Sequence, residues 1–159
     1  MVHFRPIVED RAGPLLLLGR LMLAWLFVHE GLTLAGSLDA ALGAMAKLGV
    51  AAPLALAVIT LQIAAGTALA FGLGTRFAAA ALGLFCVATA VLFHIKFGTR
   101  NELLHFQKDL AIAGGMVVLA ACGAGTWSID GIVASRRLAG NKARLPSVSD
   151  CTADLAEQE

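Results

Sequence analysis

The sequence predicts an all-α integral membrane protein: a four-helix bundle with a short interfacial amphipathic helix between its first and second spans. Of the 159 residues, 58% are hydrophobic and 14% are charged. A soluble domain has about 45–50% apolar and about 25% charged residues. The apolar residues also fall into four long segments, each close to the roughly 20 residues that a helix needs to cross a bilayer.

These segments divide the chain into three regions. Residues 1–13 are predicted to be a cytoplasmic N-terminal segment, and residues 14–126 the membrane domain. The spans within that domain are expected at about 14–35, 51–73, 77–97 and 103–125. Residues 127–159 are polar and mixed in charge, which predicts a mostly flexible cytoplasmic tail.

The connections between spans are also predicted. Leu38, Leu42, Met45 and Leu48 recur every three or four residues, which is typical of an amphipathic helix at a membrane surface. The hairpin "GLGTR" at 72–76 is very short, so the second and third spans should be antiparallel neighbours.

Lysine and arginine residues outside the apolar cores indicate the orientation of the chain. With four spans, both termini and the 72–76 hairpin share one side of the membrane. That side has eight Lys and Arg residues and the other has four, which predicts cytoplasmic termini. The eight are Arg5, Arg11, Arg20, Arg76, Arg136, Arg137, Lys142 and Arg144, and the four are Lys47, Lys96, Arg100 and Lys108.

Composition and cysteine spacing argue against several classes of function. The net charge of +1 gives no basic surface for nucleic acid. Cys86, Cys122 and Cys151 form no CxxC pair, and the first two lie in apolar segments, which predicts packing residues. The chain has no flavin, haem or iron–sulfur motif, so a redox role requires a partner subunit that carries the donor cofactor.

The fourth span opens with the polar stretch "NELLHFQKDLAIAGG". At about 100° per residue, Glu102, His105 and Asp109 fall within about 60° of one another. Lys108 is expected to point to the side and reach the outer interface. Charged residues within spans usually face the bundle interior and have partners there.

Other spans place polar groups at the same end. His29 and Glu30 lie near the outer end of the first span and His94 near that of the third, while Gln62 lies near the middle of the second. The topology therefore predicts an outer cluster with His94, His105, Asp109 and Glu30 as candidate catalytic residues. His29, Gln62 and Glu102 are the candidate cofactor-binding residues.

Three interpretations of this cluster remain open. It is a structural network of hydrogen bonds and ion pairs, or a site for a quinone head group that needs hydrogen-bond donors and a proton route, or a metal site. His105 and Asp109 are spaced to share one ion, with His94 or His29 as a third ligand. That spacing is common in helices, so no metal is assigned.

A second set of polar residues belongs to the inner end and is predicted to be structural. It consists of Arg20, Arg76 and Asp130. An Arg20–Asp130 pair would tie the first span to the end of the fourth.

The chain resembles the DoxX family of small four-helix bacterial membrane proteins. The resemblance runs over about Leu16 to Gly131 and rests on "GRLMLAWLFVHEG", "GTALAFGLGTRFAAAAL", "FH", "FQKDLAIAGG" and "GAGTWSID". The family often has glutamate where this chain has Gln62, and asparagine where it has Asp109. The resemblance implies the bacterial inner membrane, and some relatives look like membrane subunits of quinone-linked thiosulfate oxidation.

The leading hypothesis is therefore a membrane subunit of a quinone-linked redox system, with the lipid bilayer and a protein subunit as partners. The rivals are a scaffold for a soluble partner, which would use the amphipathic segment and "SRRLAGNKAR", and a metal-handling membrane protein. A transporter of four helices would have to form a homo-oligomer, and the sequence does not give the oligomeric state.

Overall fold

The fold is described from a computed structural model, which covers the backbone of residues 5–93 and 100–142 and the side chains of residues 13–92 and 100–137. Six helices are present in these ranges: α1 (Arg5–Gly36), α2 (Leu38–Lys47), α3 (Ala52–Phe71), α4 (Thr75–Phe93), α5 (Arg100–Cys122) and α6 (Ile129–Lys142).

Four of these helices are long and apolar enough to cross a membrane, which confirms the predicted architecture. The membrane-spanning segments are Gly13–Gly36, Ala52–Phe71, Thr75–Leu92 and Arg100–Cys122. The third begins two residues before its predicted start, because the carboxylate of Asp130 accepts hydrogen bonds from the amides of Gly74 and Thr75 there. The fourth ends before its predicted end because Gly123 has a φ of 80°.

The spans pack in the order α1, α3, α4, α5, with α1 closest to α3 and α4 closest to α5. The contact between α1 and α5 is much smaller than those of α1 with α3 and of α4 with α5. Small residues let the α1 and α3 backbones approach. A Cβ on Gly31 would lie 2.7 Å from Cγ1 of Ile63, and one on Gly66 would lie 2.9 Å from Cγ2 of Val28.

The buried centre of the bundle combines one aromatic ring with aliphatic and sulfur-containing side chains. It includes Phe27 of α1, Leu69 of α3, Leu82 and Cys86 of α4, and Met116 of α5. The packing role predicted for Cys86 is therefore confirmed.

The short helix between the first two spans is confirmed as α2. Its Ala41 is buried, and Leu42 and Met45 are partly buried, while the polar residues of its other face are exposed. This arrangement agrees with a helix lying at the membrane surface.

The C-terminal region differs from its prediction. Residues 129–142 form the helix α6 rather than a flexible tail. The amide of Gly131 donates a hydrogen bond to Oγ of Ser128 at 2.9 Å. Ser128 therefore caps the helix, and the pattern "SIDG" carried a start signal that the sequence reasoning missed.

Candidate functional site

A cavity of about 300 Å³ lies among the four spans, toward the end where α1 and α4 finish and α5 begins. Its walls combine apolar and polar side chains, and every span contributes to them. The lining residues are Leu26, Phe27, Glu30, Gln62, Phe85, Cys86, Thr89, His105, Lys108, Asp109 and Ile112.

Four of the seven predicted outer-cluster residues line this cavity. They come from three helices: Glu30 from α1, Gln62 from α3, and His105 and Asp109 from α5. The one-turn spacing of His105 and Asp109 sets them on the same side of α5, above the buried Ala113. The convergence argued from topology is therefore present in the structure for these four residues.

Gln62 is the most deeply placed polar residue of the cavity. Its side chain is only 4% exposed, and its Oε1 atom has no hydrogen-bond partner among the residues that the structure describes. A buried acceptor without a partner costs about 1–3 kcal/mol, so native proteins rarely keep one unless something else occupies the site. A polar group bound in the cavity would therefore supply the hydrogen bond that Oε1 lacks.

Asp109 is held by a residue that the sequence reasoning missed. The hydroxyl of Thr89 on α4 lies 3.2 Å from Oδ2 of Asp109 and donates a hydrogen bond to it. The same hydroxyl also lies 2.9 Å from the carbonyl oxygen of Cys86 and 3.1 Å from that of Phe85. One hydroxyl hydrogen thus serves three acceptors, so this contact within the described residues satisfies the carboxylate only in part.

Lys108 is exposed, which agrees with a side chain that reaches the outer interface, but it also lines the cavity, which was not predicted. Position 108 is only about 60° from position 105 around the helix, and a long side chain covers that distance. The cavity therefore has a cation beside its carboxylates.

Three predicted residues are not in the lining. His29 is exposed and stacks on Trp25 with ring centroids 5.6 Å apart, on the outer surface of α1. Glu102 is partly buried and has an interaction partner, but it is not among the lining residues. His94 lies outside the described residues, so its predicted role stays a prediction.

The metal interpretation gains no third ligand from the described residues. His105 and Asp109 both line the cavity, but within residues 5–93 and 100–142 no group of three or more His, Cys, Asp or Glu side chains could hold an ion.

The predicted inner cluster has a different geometry from the simple ion pair that was expected. Arg20 is 2% exposed, and its guanidinium donates to the carbonyl oxygens of Ala124 at 2.8 Å and Trp127 at 2.9 Å. It therefore ties α1 to the segment after α5 through backbone acceptors. The charge of Asp130 acts on it through space.

Asp130 joins this segment to the α3–α4 hairpin. Its carboxylate accepts from the amides of Gly74 and Thr75, each at 2.9 Å, and its own amide donates to the carbonyl of Gly72 at 3.0 Å. Burial by itself raises the pKa of Asp130. The two amide hydrogen bonds and the charge of Arg20 outweigh that effect, and the net pKa lies below its usual value.

Arg76 lines a second cavity at this inner end. The cavity has a volume of about 440 Å³ and lies between the start of α4 and the start of α6, with Cys122 and Asp130 also in its wall. Arg76 is exposed, so it is a surface cation rather than a buried tie.

Comparisons with known proteins agree with the resemblance seen in the sequence. The DoxX family model matches residues 15–95, about half of the chain. Over 73 residues the chain is 42% identical to "Inner membrane protein YqjF" of Escherichia coli (strain K12), which covers 46% of this chain and 56% of that protein. It is 28% identical over 123 residues to "Inner membrane protein YphA" of the same organism, covering 73% of this chain and 88% of that protein. No solved structure matches the chain.

Proposed function

Since the chain belongs to the DoxX family, we propose that it is the inner-membrane subunit of a quinone-linked redox system of the thiosulfate-oxidising type. The single observation that carries this proposal is the buried Oε1 of Gln62, which no described residue hydrogen-bonds, in the wall of a cavity that His105 and Asp109 also line. Location in the inner membrane agrees with the names of both relatives.

The cavity suits the head group of a quinone in size and in chemistry. About 300 Å³ is at the lower end of the range for ligand sites, which is enough for a single substituted ring. Phe27, Phe85 and Ile112 provide apolar walls. α1 and α5 both line the cavity and pack against each other far less than α1 packs on α3 or α4 on α5, so entry of a lipid-soluble molecule between them is part of this proposal.

The polar residues match what the two oxygens of such a ring require. At the deep end the amide nitrogen of Gln62 can donate to one ring oxygen, and Oε1, which no described residue hydrogen-bonds, can accept from that oxygen once it carries a proton. His105 and Lys108, which are less buried than Gln62, would supply donors for the other oxygen. When bound, the quinone supplies the two-electron chemistry, and the residues of this chain orient the ring and handle protons.

Protons would move between the ring and the aqueous surface along the carboxylates. Asp109 is partly buried and held by Thr89, whereas Glu30 and Lys108 are exposed. A partly buried acid backed by exposed ionisable groups can pass a proton stepwise to water. With cytoplasmic termini, as the Lys and Arg distribution predicts, this exchange would occur on the outer side.

The electron donor belongs to a partner in this proposal. Mild-detergent isolation of the tagged protein from its native membrane, with mass spectrometry of the bound proteins, should return a stoichiometric redox subunit. Isolation of the chain alone, with metal found on it, would favour the metal-handling rival instead. A stoichiometric partner without any redox cofactor would favour the scaffold rival.

Binding of a short-chain ubiquinone analogue to the purified protein tests the site itself. Gln62→Leu removes one hydrogen-bonding group and should weaken binding about 3- to 10-fold, the value of one net hydrogen bond. Gln107 is an exposed glutamine on α5 outside the cavity, so Gln107→Leu is the matched control and should bind like the wild type. Equal affinities for all three proteins, or no binding by the wild type, would remove the quinone site.

A further inference from the structure

We propose that α6 is a membrane-surface helix that binds anionic phospholipid head groups of the leaflet next to the α3–α4 hairpin. This inference does not depend on the quinone proposal. It rests on the position of the helix, on its unpartnered apolar side and on the basic residues that follow that side.

The start of α6 is fixed at the edge of the membrane domain. Asp130 binds the backbone of the α3–α4 hairpin at Gly74 and Thr75, and that hairpin joins two spans. Gly131 lies so close to the preceding loop that a Cβ there would be 2.7 Å from the carbonyl oxygen of Gly125. The first turn of α6 is therefore attached firmly at the level where the spans end.

The rest of the helix presents an apolar side that no other described helix covers. Ile129, Ile132 and Val133 lie at spacings of three and four residues, and Ile132 is 50% exposed. Beyond its first turn, α6 has no extensive packing against any of the spans. Gly131 and Ala134, on the opposite side, face the inner cavity, so the apolar side points away from the bundle.

The basic and aromatic residues next to this apolar side indicate that a lipid surface covers it. Arg136 and Arg137 are exposed and continue the apolar side by one turn, where they can reach phosphates while Ile132 and Val133 enter the acyl region. Trp127, 61% exposed just before the helix, has the position favoured by interfacial tryptophans. The helix also begins close to the membrane domain, because only the six residues 123–128 separate it from the end of α5.

Spin labels at two positions of α6 test the proposal in the full chain. A label at Val133→Cys reports the apolar side, and a label at Ser135→Cys reports a polar, exposed flank. Both would be placed in a Cys86→Ala, Cys122→Ser, Cys151→Ser background and reconstituted into vesicles of phosphatidylcholine alone or with phosphatidylglycerol. Collisions with oxygen and with a water-soluble nickel chelate distinguish lipid from water.

The expected result is a Val133 label that collides mainly with oxygen and a Ser135 label that collides mainly with nickel. An Arg136→Gln, Arg137→Gln double variant should shift the docked population toward water by about 30-fold in phosphatidylglycerol vesicles, at roughly five-fold per arginine. It should have little effect in phosphatidylcholine. A Val133 label that reaches nickel as freely as the Ser135 label would overturn the proposal, as would docking that ignores both arginines and lipid charge. A Val133 label that leaves water only when a protein partner is bound would assign this side to that partner instead.

Discussion

Arg20→Met gives the sharpest test of how the inner end of the bundle is held together. The guanidinium of Arg20 is 2% exposed and donates two hydrogen bonds, to the carbonyls of Ala124 and Trp127. Methionine fills similar volume but donates nothing, so both carbonyls lose their partner.

The expected change in the free energy of unfolding is the difference between two opposing effects. Two hydrogen bonds from a charged donor are worth about 3–6 kcal/mol in total, and unpaired carbonyls add to the loss. Removing a buried charge also recovers several kcal/mol of desolvation, which offsets part of it. We expect a net loss of about 3 kcal/mol in the free energy of unfolding. A chain of this size loses about 2–4 °C of Tm per kcal/mol, so the Tm should fall by about 10 °C.

The structure supplies a reporter for this assay. Cys86 is 3% exposed, so in a Cys122→Ser, Cys151→Ser background its reaction with a thiol dye on heating in mild detergent follows opening of the core. Arg100→Met removes an exposed arginine at the first turn of α5 and is the matched control. A Tm for Arg20→Met equal to that of the control would show that the two guanidinium hydrogen bonds do not hold this end of the bundle.

Three further predictions concern the same tie and the outer cavity. The pKa of Asp130 is lowered in the folded protein, so its contribution to the free energy of unfolding is present above the unfolded pKa of about 3.9 and is lost as pH falls through the lower folded value. Asp130→Asn should lose about 1 kcal/mol at pH 7, and its Tm should drop less in acid than that of the wild type. Parallel pH profiles of Tm for the two proteins would contradict this. Gly72→Ala should destabilise the protein clearly more than Gly74→Ala in the same thermal assay, although both glycines have positive φ. A Cβ on Gly72 would lie 2.5 Å from Cβ of Ser128 and 2.8 Å from Nη1 of Arg20, whereas a Cβ on Gly74 would meet no described atom within 4 Å. Thr89→Val should weaken binding of the quinone analogue several-fold, because it removes the hydrogen bond that holds Asp109. Thr60→Val removes an exposed hydroxyl bonded to the carbonyl of Leu56 and should not change the affinity. Equal affinities for the two variants would show that Thr89 does not position the site.

Hydropathy and topology predicted the bundle and most of the outer cluster. Four apolar segments of bilayer length leave little choice of fold, and alternating span directions bring Glu30, His105 and Asp109 to one end. Gln62 was also assigned to this cluster, and its deeper placement was predicted only from its position near the middle of α3.

Features that depend on side-chain packing could not be predicted in the same way. Thr89 looked like an ordinary threonine within a span, where the hydroxyl commonly bonds to its own helix backbone. The carbonyls that hold Arg20 lie in a loop shaped by Gly123 and Gly125, both with positive φ. The direction of a carbonyl group in such a loop cannot be predicted from a sequence pattern. Position around a helix also allows a long side chain such as Lys108 more than one direction.

The most direct test of the central claim is labelling of native membranes with a photoreactive quinone analogue, followed by peptide mapping. The account predicts label within residues 26–30 of α1 and 105–112 of α5, removed by excess unlabelled quinone and reduced in Gln62→Leu but not in Gln107→Leu. Label spread over lipid-facing positions such as Leu84 and Val117, with no competition by unlabelled quinone, would contradict it and leave the polar cavity as part of the bundle's internal architecture.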